Sequence, residues 1–154
     1  MQTFVPHGSD FTGNAMVLDR QRLGKQRVEG MQIINNLLGY SSGWSNHPAV
    51  KMWKGYEQAL VKYTLEICKV WTSLGYKDTC AVKILGKCAD SQLLTPNVVW
   101  SEIELPEWLD DPEVMESHKS NLLRKLPSHY RQYWPEVSPD LPYKWPTPNS
   151  KDGK

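Results

Sequence analysis

The longest regular pattern in the chain runs from Trp53 to Leu74, where Trp53, Tyr56, Leu60, Tyr63/Thr64, Ile67, Trp71 and Leu74 recur every three or four residues. Such a stripe gathers on one side of a helix, whereas a strand would send its members to both faces. Pro48 suits a first helical position, Ser45 or Asn46 can cap it, and Gly75 suits the residue after the last turn. The spacing predicts one helix from Pro48 to Leu74, about seven turns long. A second stripe, Leu23, Arg27, Gly30/Met31, Ile34 and Leu37/Leu38, predicts a helix from Asn14 to Leu38, with Arg27 lending its methylenes at the edge. The opposite face then holds Arg22, Lys25/Gln26, Glu29, Gln32 and Asn36. Gly24 and Gly30 each weaken that helix by about 1 kcal/mol relative to alanine, so another backbone is expected to come close there.

Asp78 can cap a shorter helix ending near Lys87, and Asp111 followed by Pro112 and Glu113 opens another that reaches Leu126. The stretch "SQLLTPNVVWSEIELPEWLDD" is broken by Pro96 and Pro106 and reads as extended, with at most one turn of helix. "SHYRQYW" reads as a short final helix or turn. No alternating strand pattern and no repeat is present. The expected fold is all-α: three main helices, short helices and a Pro/aromatic-rich C-terminal tail, in one domain over 1–146 with a flexible polar tail at 147–154.

Composition agrees with a single globular unit. The chain has 154 residues, 40% hydrophobic and 23% charged, which is ordinary soluble usage. No apolar run approaches the ~20 residues of a membrane span. The opening "MQTFVPHGSD" lacks the basic and apolar regions of a secretory signal, so a cytoplasmic location is expected. Cys68, Cys80 and Cys88 match no compact zinc spacing and read as reduced core thiols. Trp44, Trp53 and Trp71 read as core or core-edge residues.

The chemistry concentrates in "VLDRQRLGKQRVEG". Arg20, Arg22, Lys25 and Arg27, less Asp19, give this segment a local charge of +3 in a chain whose net charge is +1. On a helix, Arg22, Lys25/Gln26 and Glu29 share one face. One reading is a solvated face of exposed ion pairs, each contributing less than ~1 kcal/mol. The other is a surface for an anionic ligand with one carboxylate at its centre, kept ionised by its cationic neighbours. His47 is either a helix-entry contact or a phosphate ligand, with Lys51 and Lys54 following on the same stretch. Tyr130, Tyr133 and Trp134, interleaved with His129 and Arg131, are either a packed plug or a stacking surface for nucleic acid.

Four ordered pieces carry a resemblance. They are the bare start "MQTF"; "LGKQRVE" in the first long helix; "NHPAV" opening the second, which ends "ICKVWTSLGYKDT"; and the C-terminal "LLRKLPSHYRQYWPEV". Together, over about residues 1–137, they resemble the pyrimidine-dimer DNA glycosylase family, the phage-type endonuclease V fold, which is distinct from the inosine-directed nuclease of that name. The resemblance implies cleavage of the N-glycosidic bond of a damaged or modified pyrimidine, followed by nicking of the backbone through an imine and β-elimination. It makes the Met1 α-amino group the nucleophile and Glu29 the carboxylate that stabilises charge and relays protons. It assigns nucleic-acid contacts to Arg20, Arg22, Lys25, Gln26 and Arg27, with His47, Lys51, Lys54, Tyr130, Arg131 and Trp134 as secondary contacts. The implied partner is double-stranded DNA with a flipped or damaged nucleotide, met by a monomer without metal or cofactor. An α-amine suits the task independently, because its reference pKa of about 7.7–8.0 leaves it partly unprotonated near neutrality, unlike a lysine at ~10.4.

This sequence departs from the family in places. Gln2 is too large for the usual methionine removal, so Met1 is expected to remain where the family exposes a threonine. Arg27 precedes Glu29 by two residues where the family has Arg and Glu adjacent. Gln32 stands in place of a basic residue one turn later, and Arg22 in place of an earlier histidine. These changes motivate the alternatives: a binding protein for nucleic acid or a nucleotide that keeps the fold without the lyase, or an enzyme directed at a different modified base.

Overall fold

Each of the two long expected helices is interrupted once, and each interruption has a local cause. In the computed structural model, which describes residues 1–146, the first is divided into α1 (Phe11–Val17) and α2 (Arg20–Leu37). Asp19 is extended between them; its carboxylate caps α2 by accepting from the Arg22 N–H at 3.4 Å. The Asp19 N–H is drawn out of any helical ladder by the Tyr130 hydroxyl at 3.0 Å, and that hydroxyl donates to Asp19 Oδ1 at 2.5 Å. The second expected helix becomes α3 (Pro48–Lys51) and α4 (Glu57–Ser73). Gly55 turns the chain there with φ +89°, and Glu57 Oε2 accepts its N–H at 3.0 Å. The cap of α3 is His47, whose Nδ1 accepts from the Ala49 N–H, in place of Ser45 or Asn46.

The remaining elements follow their start signals. Both Asp78 oxygens accept N–H groups at the start of α5 (Cys80–Asp90), which runs three residues past Lys87. Asp111 caps α6 (Pro112–Lys125), and α7 (Pro127–Tyr130) follows directly. Between α5 and α6 lie two 3-10 turns, Trp100–Glu102 and Glu107–Asp110, where at most one turn was expected. The described residues contain no strand, so the fold is all-α. The polar tail expected at 147–154 lies outside them.

α2 and α4 pack antiparallel, since Gly24 meets Trp71 while Gly30 meets Thr64. A Cβ at Gly30 would lie 2.5 Å from Thr64 Oγ1, and one at Gly24 would lie 2.9 Å from the Trp71 ring. The close approach is therefore made by side chains rather than by another backbone. Leu23, Ile33, Ile34, Leu60, Tyr63, Ile67 and Ile84 fill the interior around this seam. Gln26 and Asn36, expected on the polar face, are buried with them, whereas Trp44, expected near the core, is 48% exposed. The three thiols are free and buried, and burial pushes Cys68 up to about 12 and Cys88 to about 11.

Two consequences bear on the expected DNA contacts. Tyr130 is fully buried and Trp134 stacks on it, with ring centroids 5.6 Å apart. This pair is the packed plug, engaged with Asp19, and presents no free ring face for a base. Arg27 lies over the Trp71 ring and donates to Asp78 at 2.5 Å. It joins α2, α4 and the start of α5, so its guanidinium is engaged within the fold.

The Gly30 contact yields a stability prediction. Gly30→Ala should lower unfolding free energy by about 1–3 kcal/mol, the usual cost of overpacking. Urea titration would show a reduced midpoint with an unchanged slope. Adding Thr64→Ala should restore part of the loss; no recovery would remove this contact as the cause.

Candidate functional site

Residues 2–5 are buried yet belong to no helix or strand, so their backbone groups need partners from elsewhere. Side chains provide them. Gln26 of α2 grips both ways, its Oε1 accepting the Phe4 N–H at 3.0 Å and its Nε2 donating to the Gln2 carbonyl at 2.7 Å. The Tyr63 hydroxyl of α4 donates to the Phe4 carbonyl at 2.7 Å, and the Val5 N–H donates to His118 Nδ1 of α6 at 2.9 Å. Trp53 Nε1 donates to Thr3 Oγ1. Gln26, expected among the nucleic-acid contacts, is thus a buried clamp on the N-terminal segment that also lines the cavity described next. Complete burial suits the clamp chemically. It holds His118 down to about 3, hence a neutral acceptor, and Tyr63 well above its ordinary value, hence a hydroxyl donor.

The clamp delivers the start of the chain to α2. The Met1 amine lies 3.9 Å from Glu29 Oε2, and the Gln2 N–H hydrogen-bonds to the same carboxyl group. A cavity of 260 Å³ opens here, walled by Met1, Glu29, Lys25, Gln21, Lys125 and Tyr143, with Arg22 also contributing. Burial raises the Glu29 pKa above its ordinary value, and this outweighs the opposing pull of the Met1 amine, Lys25 and Lys125. The sequence pattern predicted the reverse balance, because it counted the cations and could not count the burial. A carboxyl group held this way moves protons more readily near neutrality than an ordinary one.

The expected cations disperse. Arg22 reaches the cavity but also contacts Asp19 at 3.3 Å. Lys25 is exposed at the cavity, and Arg20 is exposed outside its lining. His47 is the helix-entry contact already described; burial, and then the charge of the Met1 amine, lower its pKa. Lys51 and Lys54 line a separate cavity with Asn36. The Arg131 guanidinium donates to the carbonyls of Pro135 and Val137, bracing its own segment.

Three lining residues lacked a usable sequence signal. Gln21 precedes the expected cationic face by one position. Lys125 ends α6 in what reads as an ordinary basic last turn. Tyr143 lies in the Pro/aromatic-rich stretch to which no site role was assigned, and residues 137–146 form a strap over the N-terminal segment. Ser120 Oγ accepts the Leu141 N–H and Ser117 Oγ the Lys144 N–H, and the Arg124 guanidinium donates to the carbonyls of Pro139 and Leu141. Tyr143 packs on Phe4 and His118, and Trp145 meets the His47 ring edge to face. A Gly-x-Ser-x-Gly spacing at Gly39–Gly43 falls in an exposed loop after α2, with no strand to make it a nucleophile elbow.

Fold and cavity define an all-helical protein that holds its terminal amine against a half-buried carboxyl group in a cationic basin. Residues 1–84 match the family profile described as pyrimidine dimer DNA glycosylase. That is more than half of the chain, and the protein belongs to this family. No curated protein and no solved structure matches it. The matched part contains Met1, Glu29, Gln26, Trp53 and Tyr63; Lys125, His118 and the strap lie beyond it.

Glu29 carries a pH prediction. Its folded value lies above the ordinary 4.5, so the stability present with the carboxyl group protonated is lost as pH rises through the folded value. Glu29→Gln cannot lose it. Thermal unfolding should show the variant more stable than the native protein near pH 7, with the gap closing toward about pH 4. A gap that widens in acid would contradict the assignment.

Proposed function

We propose that the protein is a DNA N-glycosylase with abasic-site lyase activity toward damaged or modified pyrimidines, in which the Met1 amine is the nucleophile. The observation that carries this reading is the 3.9 Å approach of that amine to Glu29 inside a basin bordered by Lys25, Arg22 and Lys125. The unprotonated amine attacks C1′ of the deoxyribose and forms the N–C1′ bond, while the glycosidic bond breaks and its electron pair leaves with the base. Opening of the sugar ring gives the imine. Loss of a C2′ proton then expels the 3′ phosphate oxygen. The imine supplies the electron sink, so this chemistry requires no metal or organic cofactor.

Glu29 takes two parts in this scheme. Its ionised form stabilises the positive charge that grows on the sugar, and its raised pKa lets it carry protons during imine formation and elimination. Lys25, Lys125 and Arg22, which line the cavity, would pair with phosphates next to the reacting sugar. Gln2, which lines the cavity, has Nε2 as a buried donor without a partner, and a flipped pyrimidine or its sugar would bring an acceptor. Arg20 is retained as an outlying phosphate contact. The partner is double-stranded DNA bound by a monomer, and buried free thiols fit a reducing cytoplasm.

The diversion of Arg27 to Asp78 favours one alternative, a DNA-binding protein without lyase chemistry. Borohydride reduction during incubation with an abasic-site duplex separates the two. The proposal expects a covalent protein–DNA adduct, and it expects Glu29→Gln to retain duplex binding while cleaving at least about 100-fold more slowly. Binding without an adduct, from protein verified to carry a free Met1 amine, would leave only the binding function.

A further inference from the structure

A second cavity, of 530 Å³, lies beside the C-terminal half of α2. Asn36 lines it, seven residues after Glu29, which places the two within about 20° of the same direction and about 10 Å apart along the helix. The exposed Gln32 stands between them on that face. The other walls come from Leu37, Ser45 and α3, through Val50 and Lys51, together with Lys54 and Glu57 beyond it. α3 begins at His47, whose ring is close enough to the Met1 amine to feel its charge. Both cavities therefore belong to one side of the molecule.

The lining has a definite chemistry. Asn36 is more than nine-tenths buried; its Oδ1 accepts the Ser45 hydroxyl at 3.0 Å, and its Nδ2 has no partner. A buried amide donor left unpaired carries a desolvation cost, which an incoming acceptor would offset. Lys51 sets the sign of that acceptor. Glu57, the acid in the lining, turns its Oε2 back to the Gly55 N–H. Leu37 and Val50 add apolar surface, of a kind that suits the carbon face of a sugar. An unpaired amide donor and the Lys51 ammonium beside an apolar wall match one sugar–phosphate unit.

We propose that this cavity seats a sugar–phosphate unit of DNA about three nucleotides from the reacting sugar, since each nucleotide advances a strand by about 3.4 Å along the helix axis. The assignment rests on the Met1–Glu29 cavity being the reacting site. Asn36 and Lys51 are its principal ligands, and a duplex that ends before reaching them binds less well.

Single methylphosphonates walked along a duplex with a non-cleavable abasic analogue test this, because each removes one phosphate charge. The native protein should lose affinity at phosphates flanking the abasic site and again about three nucleotides away. Lys51→Ala should abolish the distant penalty, keep the near one, and reduce the slope of log K against log salt by about 0.9. Lys25→Ala should instead abolish a near penalty. Asn36→Leu, buried and therefore read beside Lys51→Ala, should also abolish the distant one. If Lys51→Ala leaves the whole profile and the salt slope unchanged while native protein binds and forms the borohydride adduct, the second site is overturned and the first stands. If native protein neither binds the duplex nor forms the adduct, both fall.

Discussion

The whole arrangement depends on how an unpaired backbone is satisfied. Residues 2–5 run through the interior with no strand beside them, and each buried N–H or carbonyl there would otherwise carry an uncompensated desolvation cost. Gln26, Tyr63 and His118, from three separate helices, meet those groups, and Trp53 from a fourth part of the chain donates to the Thr3 hydroxyl. Because four directions fix the segment, the first residue has little freedom, and its amine is held beside Glu29. Packing of α2 against α4 at Gly30 and Thr64 sets the spacing between two of the clamps. The core thus serves the site directly: it holds the nitrogen that the proposed chemistry needs.

Electrostatics around that nitrogen reflect a division of labour among cations that look alike in the sequence. Arg27 is a structural tie to Asp78 and Trp71, and Arg22 is shared between Asp19 and the cavity. Lys25 and Lys125 remain beside the carboxyl group. With fewer cations close by than the sequence suggests, burial governs Glu29 and its pKa rises. A fully solvated cluster of the same cations would have pulled the carboxyl pKa down instead.

Much of the fold was legible because helix spacing and start signals are local. The stripes on α2 and α4, the Asp78 and Asp111 starts and the absence of alternating patterns all led to an all-α reading. The interruptions at Asp19 and Gly55 were not legible from periodicity, since the apolar spacing continues across both; a tertiary hydroxyl from Tyr130 and a positive φ decide them. For the site, Met1 and Glu29 were reached through the family resemblance, and the geometry joins them. The burial of Gln26 was not legible because amide side chains read as surface residues until an unpaired backbone segment is seen next to them. Lys125 and Tyr143 stayed hidden because their proximity arises from the return of the chain after α6, more than 90 residues from Glu29 in sequence.

The central claim is that the terminal nitrogen, and not a lysine of the same basin, bonds to the sugar. Proteolysis of a borohydride-reduced complex with abasic DNA, followed by mass spectrometry of the DNA-bearing peptide, addresses it directly. The sugar remnant is predicted on the Met1 nitrogen. A remnant on Lys25 or Lys125 would contradict the account.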